Sequence, residues 1–257
     1  MEIILLPIIA FSAAILTFFS GFGLGTLLTP VFFLYFPVEQ AIAMTAIVHF
    51  FNNIFKLLLV AKGADWQVVL RFGIPAILAA WLGAYVLISF TNETPLLSYQ
   101  LFNMTFEIIP VKLVIAVLLF IFAIVDLVPR LNSISFDRKW LPVGGLLSGF
   151  FGGLSGNQGA LRSAFLIKAG LSKEAFIGSA VIISTLIDCS RMTVYASDIL
   201  QKDLIDQLDV LSVSILAAIS GAFIGNRLLK KVTIIFLQRF VAILLMILSI
   251  ALGLGWL

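Results

Sequence analysis

Apolar runs separated by short polar or glycine-rich joints follow one another along the whole chain. They lie at roughly 3–20, 25–36, 40–61, 67–90, 111–129, 141–156, 158–169, 174–196, 208–229 and 233–256. Six of the ten (40–61, 67–90, 111–129, 174–196, 208–229 and 233–256) predict full helical spans, which need roughly 20 apolar residues. Segments 25–36 and 158–169 are about a dozen residues each, enough for ~18 Å of helix against a ~30 Å hydrocarbon core. Each follows a glycine-rich break, Ser20-Gly21-Phe22-Gly23-Leu24-Gly25 or Gly152-Gly153-Leu154-Ser155-Gly156-Asn157-Gln158-Gly159. The breaks predict either discontinuous helices that cross once or helical hairpins that return to the side they entered.

The pattern occurs twice. Ile77-Leu78-Ala79-Ala80-Trp81-Leu82-Gly83-Ala84-Tyr85-Val86 returns as Ile215-Leu216-Ala217-Ala218-Ile219-Ser220-Gly221-Ala222-Phe223-Ile224, with six of ten positions identical. Ser20-Gly21-Phe22 returns as Ser148-Gly149-Phe150. Gln40-Ala41 with Thr45-Ala46 resembles Glu174-Ala175 with Ser179-Ala180. This divides the chain into a first repeat, 1–129, a polar and basic linker, 130–140, and a second repeat, 141–257. Duplicated apolar halves are a frequent plan of secondary transporters, because related halves can rock about a site held between them.

Composition sets the solvent. With 61% hydrophobic and 11% charged residues, and a mean hydropathy of +1.17, the chain cannot clothe itself in polar groups, so lipid must surround it. The apolar start lacks a basic flank, Glu2 being its one early charge, and is expected to stay in the bundle rather than to be cleaved. The lone Cys189 excludes an internal disulfide, and no Cys/His cluster predicts a metal. A net charge of +3 reads as cytoplasmic anchoring charge rather than as a nucleic-acid surface.

Positive charge also arbitrates the topology, since cytoplasmic loops collect Lys and Arg. If both broken segments cross, giving eight transmembrane helices with the first and fifth discontinuous, the loop cations divide six against six. If both are re-entrant and the N-terminus is outside, Lys62, Arg71, Arg130, Arg138, Lys139, Lys168, Lys173, Arg227, Lys230 and Lys231 are cytoplasmic, leaving only Lys112 and Lys202 outside. The favoured fold is therefore an all-α polytopic membrane protein of two inverted repeats, each a Gly-broken re-entrant hairpin plus three transmembrane helices.

Two polar stripes interrupt the apolar spans. His49, Asn52, Asn53 and Lys56 are spaced i, i+3, i+4, i+7, one face of a helix; Ser184, Asp188, Arg191 and Tyr195 make the corresponding face in the second half. A shift of 135 residues sets His49 on Ser184, Asn53 on Asp188 and Lys56 on Arg191. Ionisable groups at membrane depth cost about 2.5–3.5 kcal/mol each and seldom persist without a partner or a task. Snorkelling of Lys56, a purely structural role for the His49/Asn52/Asn53 cluster and a simple Asp188–Arg191 pair are the bland readings. The breaks themselves offer backbone N–H groups at helix starts, which attract anions. Asn157, Gln158 and Arg162 follow the second break, and Thr26 and Thr29 stand at comparable places after the first. A guanidinium fork suits a multi-oxygen anion. No nucleotide-binding loop, zinc-protease helix or nucleophile elbow occurs, so neither an enzyme nor a cofactor is expected.

The motifs Ser-Gly-Phe-Gly-Leu-Gly-x-x-x-x-Pro (Ser20 to Pro30) and Gly-Gly-Leu-Leu-Ser-Gly-Phe-Phe-Gly-Gly-Leu-Ser-Gly-Asn-Gln-Gly (144–159), in a duplicated chain of this length, resemble the TauE/SafE family of sulfite and organosulfonate exporters. The resemblance implies export of a small sulfur oxyanion or sulfonate, such as sulfite or sulfoacetate, across the bacterial inner membrane without ATP. The residues expected to hold the anion are Arg162, Arg191, Asn157, Gln158, Asn52, Asn53, Thr26 and Ser184. His49, Asp188 and Lys56 are the expected coupling groups, with His49 or Asp188 accepting a proton. The expected partners are the small anion and the bilayer, and a homodimer stays open. A passive anion channel and a non-transporting membrane scaffold are the competing classes.

Overall fold

The computed structural model describes residues 2–18, 23–89, 94–102, 104–128, 135–156, 158–199, 207–228 and 234–256. Its first half contains α1 (Glu2–Thr17), α2 (Leu24–Phe32), α3 (Val38–Val60), α4 (Trp66–Ser89) and α5 (Pro110–Leu127). The second contains α6 (Leu141–Ser155), α7 (Gly159–Leu166), α8 (Lys173–Ile199), α9 (Leu208–Leu228) and α10 (Ile234–Gly253). The order matches the expected segments, including a short second helix in each half. Among the described residues, α3, α4, α8 and α9 are long and apolar enough to cross a membrane, while α1, α5 and α10 contribute shorter apolar stretches.

Polarity is turned inside out relative to a water-soluble fold. Large apolar side chains point outward, Leu58 at 78% and Leu78 at 68% exposure, whereas Asp188 and Arg191 are wholly buried. Such a surface is stable against lipid tails, which offer no hydrogen bonds and demand none. This is a multi-pass membrane protein.

The halves interlock rather than lie side by side. α4 packs along α6, and α9 packs along α1, so the fourth helix of each half lies on the first helix of the other. α3 packs on α8 and α5 on α10, each helix meeting its own counterpart. Exchanging the halves leaves this set of pairings unchanged. Small residues make the α4–α6 joint possible: a Cβ on Gly145, Gly149 or Gly153 would collide with the carbonyl of Phe72, Ala76 or Ala80. Close backbone approach of this kind drives helix association where no hydrophobic effect operates. The repeated decapeptide acquires a physical reason here, since Gly83 faces the Phe150 carbonyl and Gly221 the Phe11 carbonyl.

One element was not expected. β1 (Leu97–Leu101) and β2 (Met104–Ile108) form an antiparallel hairpin between α4 and α5, in register Tyr99 to Phe106 and Leu101 to Met104. The Tyr99 hydroxyl donates to the Leu254 carbonyl (2.7 Å) and accepts from Trp256 Nε1 (3.0 Å), tying the hairpin to the end of α10. The sequence signal was present in the alternating residues of 97–108, but at five residues per strand it is short.

Candidate functional site

The polar stripes of α3 and α8 face one another. His49 Nδ1 lies 2.6 Å from Asp188 Oδ2, and Asn53 Nδ2 donates to the same oxygen at 2.9 Å. Asp188 Oδ1 accepts from Arg191 Nε at 3.1 Å, with Nη2 at 2.9 Å. An ionised carboxylate only accepts, so His49 carries its proton on Nδ1 and turns Nε2 the other way. That nitrogen points at the first break: a Cβ on Gly23 would sit 3.1 Å from it. All four residues are at most 3% exposed.

Both breaks reach this centre. Gly156 ends α6 in the left-handed region (φ 75°), a backbone state that glycine adopts without strain. A Cβ there would lie 2.9 Å from Arg191 Nη1 and 3.4 Å from Thr29 Oγ1. A Cβ on Gly25 would lie 3.1 Å from the Gly156 carbonyl, so the two tips touch. Ser148, part of the repeated Ser-Gly-Phe, donates to the Gln158 carbonyl at 3.1 Å and closes the second break. Arg162, in the first turn of α7, donates through Nη1 to Ser184 Oγ (2.9 Å) and Gln158 Oε1 (3.3 Å). Tyr195 donates to the Gly153 carbonyl at 2.6 Å, pinning α8 to α6.

A cavity of about 30 Å³ opens beside these groups, its polar lining made by His49, Asn53, Lys56, Arg162, Ser184 and Thr17. Sequence reasoning missed its apolar wall, which includes Phe18, Phe176 and Ile177; single apolar residues in an apolar helix carry no signal. Among the expected anion ligands, Arg162, Ser184 and Asn53 line the cavity. Arg191, Gln158 and Thr26 are buried at the adjoining tips and outside its lining. Asn52 turns toward α9: its amide, in the orientation that satisfies both groups, donates to the Ala218 carbonyl and accepts from Lys56 Nζ, each at 3.2 Å. Lys56 also sits 5.3 Å from the centre of the Phe18 ring. It is 4% exposed and does not snorkel. Asn157 falls outside the described residues.

Among the described residues, buried cations outnumber buried carboxylates here. The buried charged side chains are Lys56, Arg162, Arg191 and Asp188, with His49 beside them. Three cations stand with one carboxylate among these residues, in a medium of low dielectric where buried charge costs several kcal/mol. Buried atoms without a hydrogen-bond partner include Arg191 Nη1, Gln158 Nε2 and Thr29 Oγ1.

The family model for the sulfite exporters TauE/SafE matches residues 6–252. The chain belongs to this family. It is therefore a member of a transporter family of the sulfite-exporter type, and nearly its whole length is covered by the match. The comparison with curated proteins and the comparison with solved structures gave no match.

Proposed function

We propose that this TauE/SafE member exports a small sulfur oxyanion or sulfonate, sulfite or sulfoacetate, across the bacterial inner membrane by alternating access, with its halves inverted about the α3–α8 contact. What supports this reading is that, among the buried charged side chains of the described residues, three are cations (Lys56, Arg162 and Arg191) and one is a carboxylate, Asp188. Arg162, Lys56, Ser184 and Asn53 hold the anion from the cavity side. Arg191 and Asp188 set the charge behind them, and Asn52 holds Lys56 in place. His49 couples the proton: a proton on Nε2 turns a lone pair that faces the cavity into a donor, so proton and anion occupy the site together. The cavity is too small for a hydrated anion, so an anion bound there sheds most of its water.

The test is sulfite and sulfoacetate binding to the purified protein by calorimetry, with counterflow in proteoliposomes. Arg162→Ala and Lys56→Met should each abolish ligand-induced heat while the protein stays folded. His49→Ala should flatten the dependence of flux on a pH gradient. Flux without saturation or counterflow would favour a passive channel, and full binding in Arg162→Ala would remove the site.

A further inference from the structure

A second cavity, about 370 Å³, lies where the end of α3 meets the start of α8, with Lys62, Lys173 and Glu174 at its wall. Ile177 lines both this cavity and the smaller one. The geometry points to Ile177 as the gate between a basic vestibule, in which the oxyanion first binds, and the inner site of Lys56 and Arg162. This rests on the transport reading above and adds a loading site and a gating residue to it.

Size separates the two chambers. About 30 Å³ is room for roughly one water, whereas the outer volume holds a small oxyanion with part of its hydration shell. Between them stands an apolar side chain branched at Cβ and therefore stiff at χ1. An anion that passes it must shed water with no polar replacement, and that makes the contact a barrier.

The backbone at the gate is pinned. A Cβ on Gly178 would lie 2.7 Å from the Val60 carbonyl and 3.0 Å from the Ala64 nitrogen, so α8 rides directly on the turn that carries Lys62. One residue further, Ser179 Oγ accepts from the Asp65 N–H at 2.9 Å. With residues 178 and 179 held against the 60–65 turn, the bulk of the side chain at 177 sets the width of the passage. Lys62 and Lys173 outnumber Glu174 at the mouth, and clefts lined by one sign of charge raise the local concentration of the opposite ion. This end of the molecule also carries Arg138, Lys139 and the exposed Trp66 and Trp140. Exposed tryptophans mark a membrane–water interface, and the collected basic residues mark it as the cytoplasmic one, the side from which an exporter loads.

The experiment uses the full chain in proteoliposomes with radiolabelled sulfoacetate, which unlike sulfite does not consume thiol reagents. Ile177→Trp should stop flux and Ile177→Ala should sustain it, both with the unfolding midpoint of the parent. In a Cys189→Ala background, the thiol of Ile177→Cys should react with an impermeant thiol reagent from the Lys62 side only, and sulfoacetate should slow that reaction. Lys62→Ala with Lys173→Ala should raise the half-saturating concentration about fivefold at low salt, and the effect should fade at high salt. Parental flux in Ile177→Trp, or equal labelling from both sides, overturns the gate. A salt-independent effect of the lysine variants overturns the loading site. A parent that moves neither sulfite nor sulfoacetate overturns the transport reading instead, and one-sided labelling still decides whether the vestibule ends at Ile177.

Discussion

α3 and α8 occupy matching places in the two halves and carry opposite chemistry. On α8 the carboxylate of Asp188 and the guanidinium of Arg191 pair within one turn. On α3 the equivalent positions hold Asn53, which is neutral, and Lys56, which rests on an amide and an aromatic ring. Asn53 and Asp188, 135 residues apart, hydrogen-bond directly to each other. Contact between equivalent positions is what a two-fold relation between halves requires of residues on its axis. The backbone joints of the two halves correspond while the side chains at α3 and α8 differ, so that similar helix pairings hold an asymmetric charge.

Removing the carboxylate breaks this comparison hardest. Asp188→Ala strips His49, Asn53 and Arg191 of their common acceptor, and a loss of about 3–5 kcal/mol should appear as a lowered unfolding midpoint in detergent. Moving the carboxylate across the axis sharpens the point. Asn53→Asp with Asp188→Asn should recover much of what Asp188→Asn alone loses, and equal midpoints for the two proteins would refute the equivalence.

The glycine joints come next. Gly83→Ala and Gly221→Ala should each cost about 1–3 kcal/mol, because the added methyl meets a carbonyl of the opposite half. Losses that differ widely between the two would mean that the α4–α6 and α9–α1 joints are not the same device.

The cations should respond with opposite signs. Arg191→Met leaves Asp188 with one fewer partner and should destabilise. Lys56→Met deletes a buried charge that no carboxylate among the described residues touches, and should stabilise by about 1 kcal/mol while it abolishes anion binding. A fall in midpoint for Lys56→Met would show that its amide and ring contacts outweigh its burial.

The smallest effect belongs to the aspartate at the rim. Asp65 accepts from the Gln67 and Val68 N–H groups at the start of α4 and from Arg138 Nη2 at 3.0 Å. Partial burial pushes its carboxyl up, but the Val68 N–H, the Arg138 charge and the Gln67 N–H together hold it below its ordinary value. A lowered carboxyl contributes stability above its unfolded value and loses it as pH falls through the folded one. Asp65→Asn should therefore cost up to about 1 kcal/mol at neutral pH. The gap between its midpoint and that of the parent should begin to narrow as the pH falls below about 3.8 and should close once the pH has passed the lowered folded value.

Much of this protein was legible in the residues. Apolar runs interrupted by two glycine-rich breaks announced a membrane bundle with short second helices, and the i, i+3, i+4, i+7 spacing placed His49, Asn53 and Lys56 on one face. Periodicity is a local property, so sequence alone resolves which side of a helix a residue occupies. It carries nothing about which faces meet. Only the tertiary structure decided that the carboxylate shared by His49, Asn53 and Arg191 belongs to Asp188, that Asn52 turns to Ala218 and Lys56, and that Ile177 lines two cavities. Those contacts join segments far apart in the chain. They arise from how glycine-lined helices settle against one another, a balance of backbone approach and buried charge that no single segment contains.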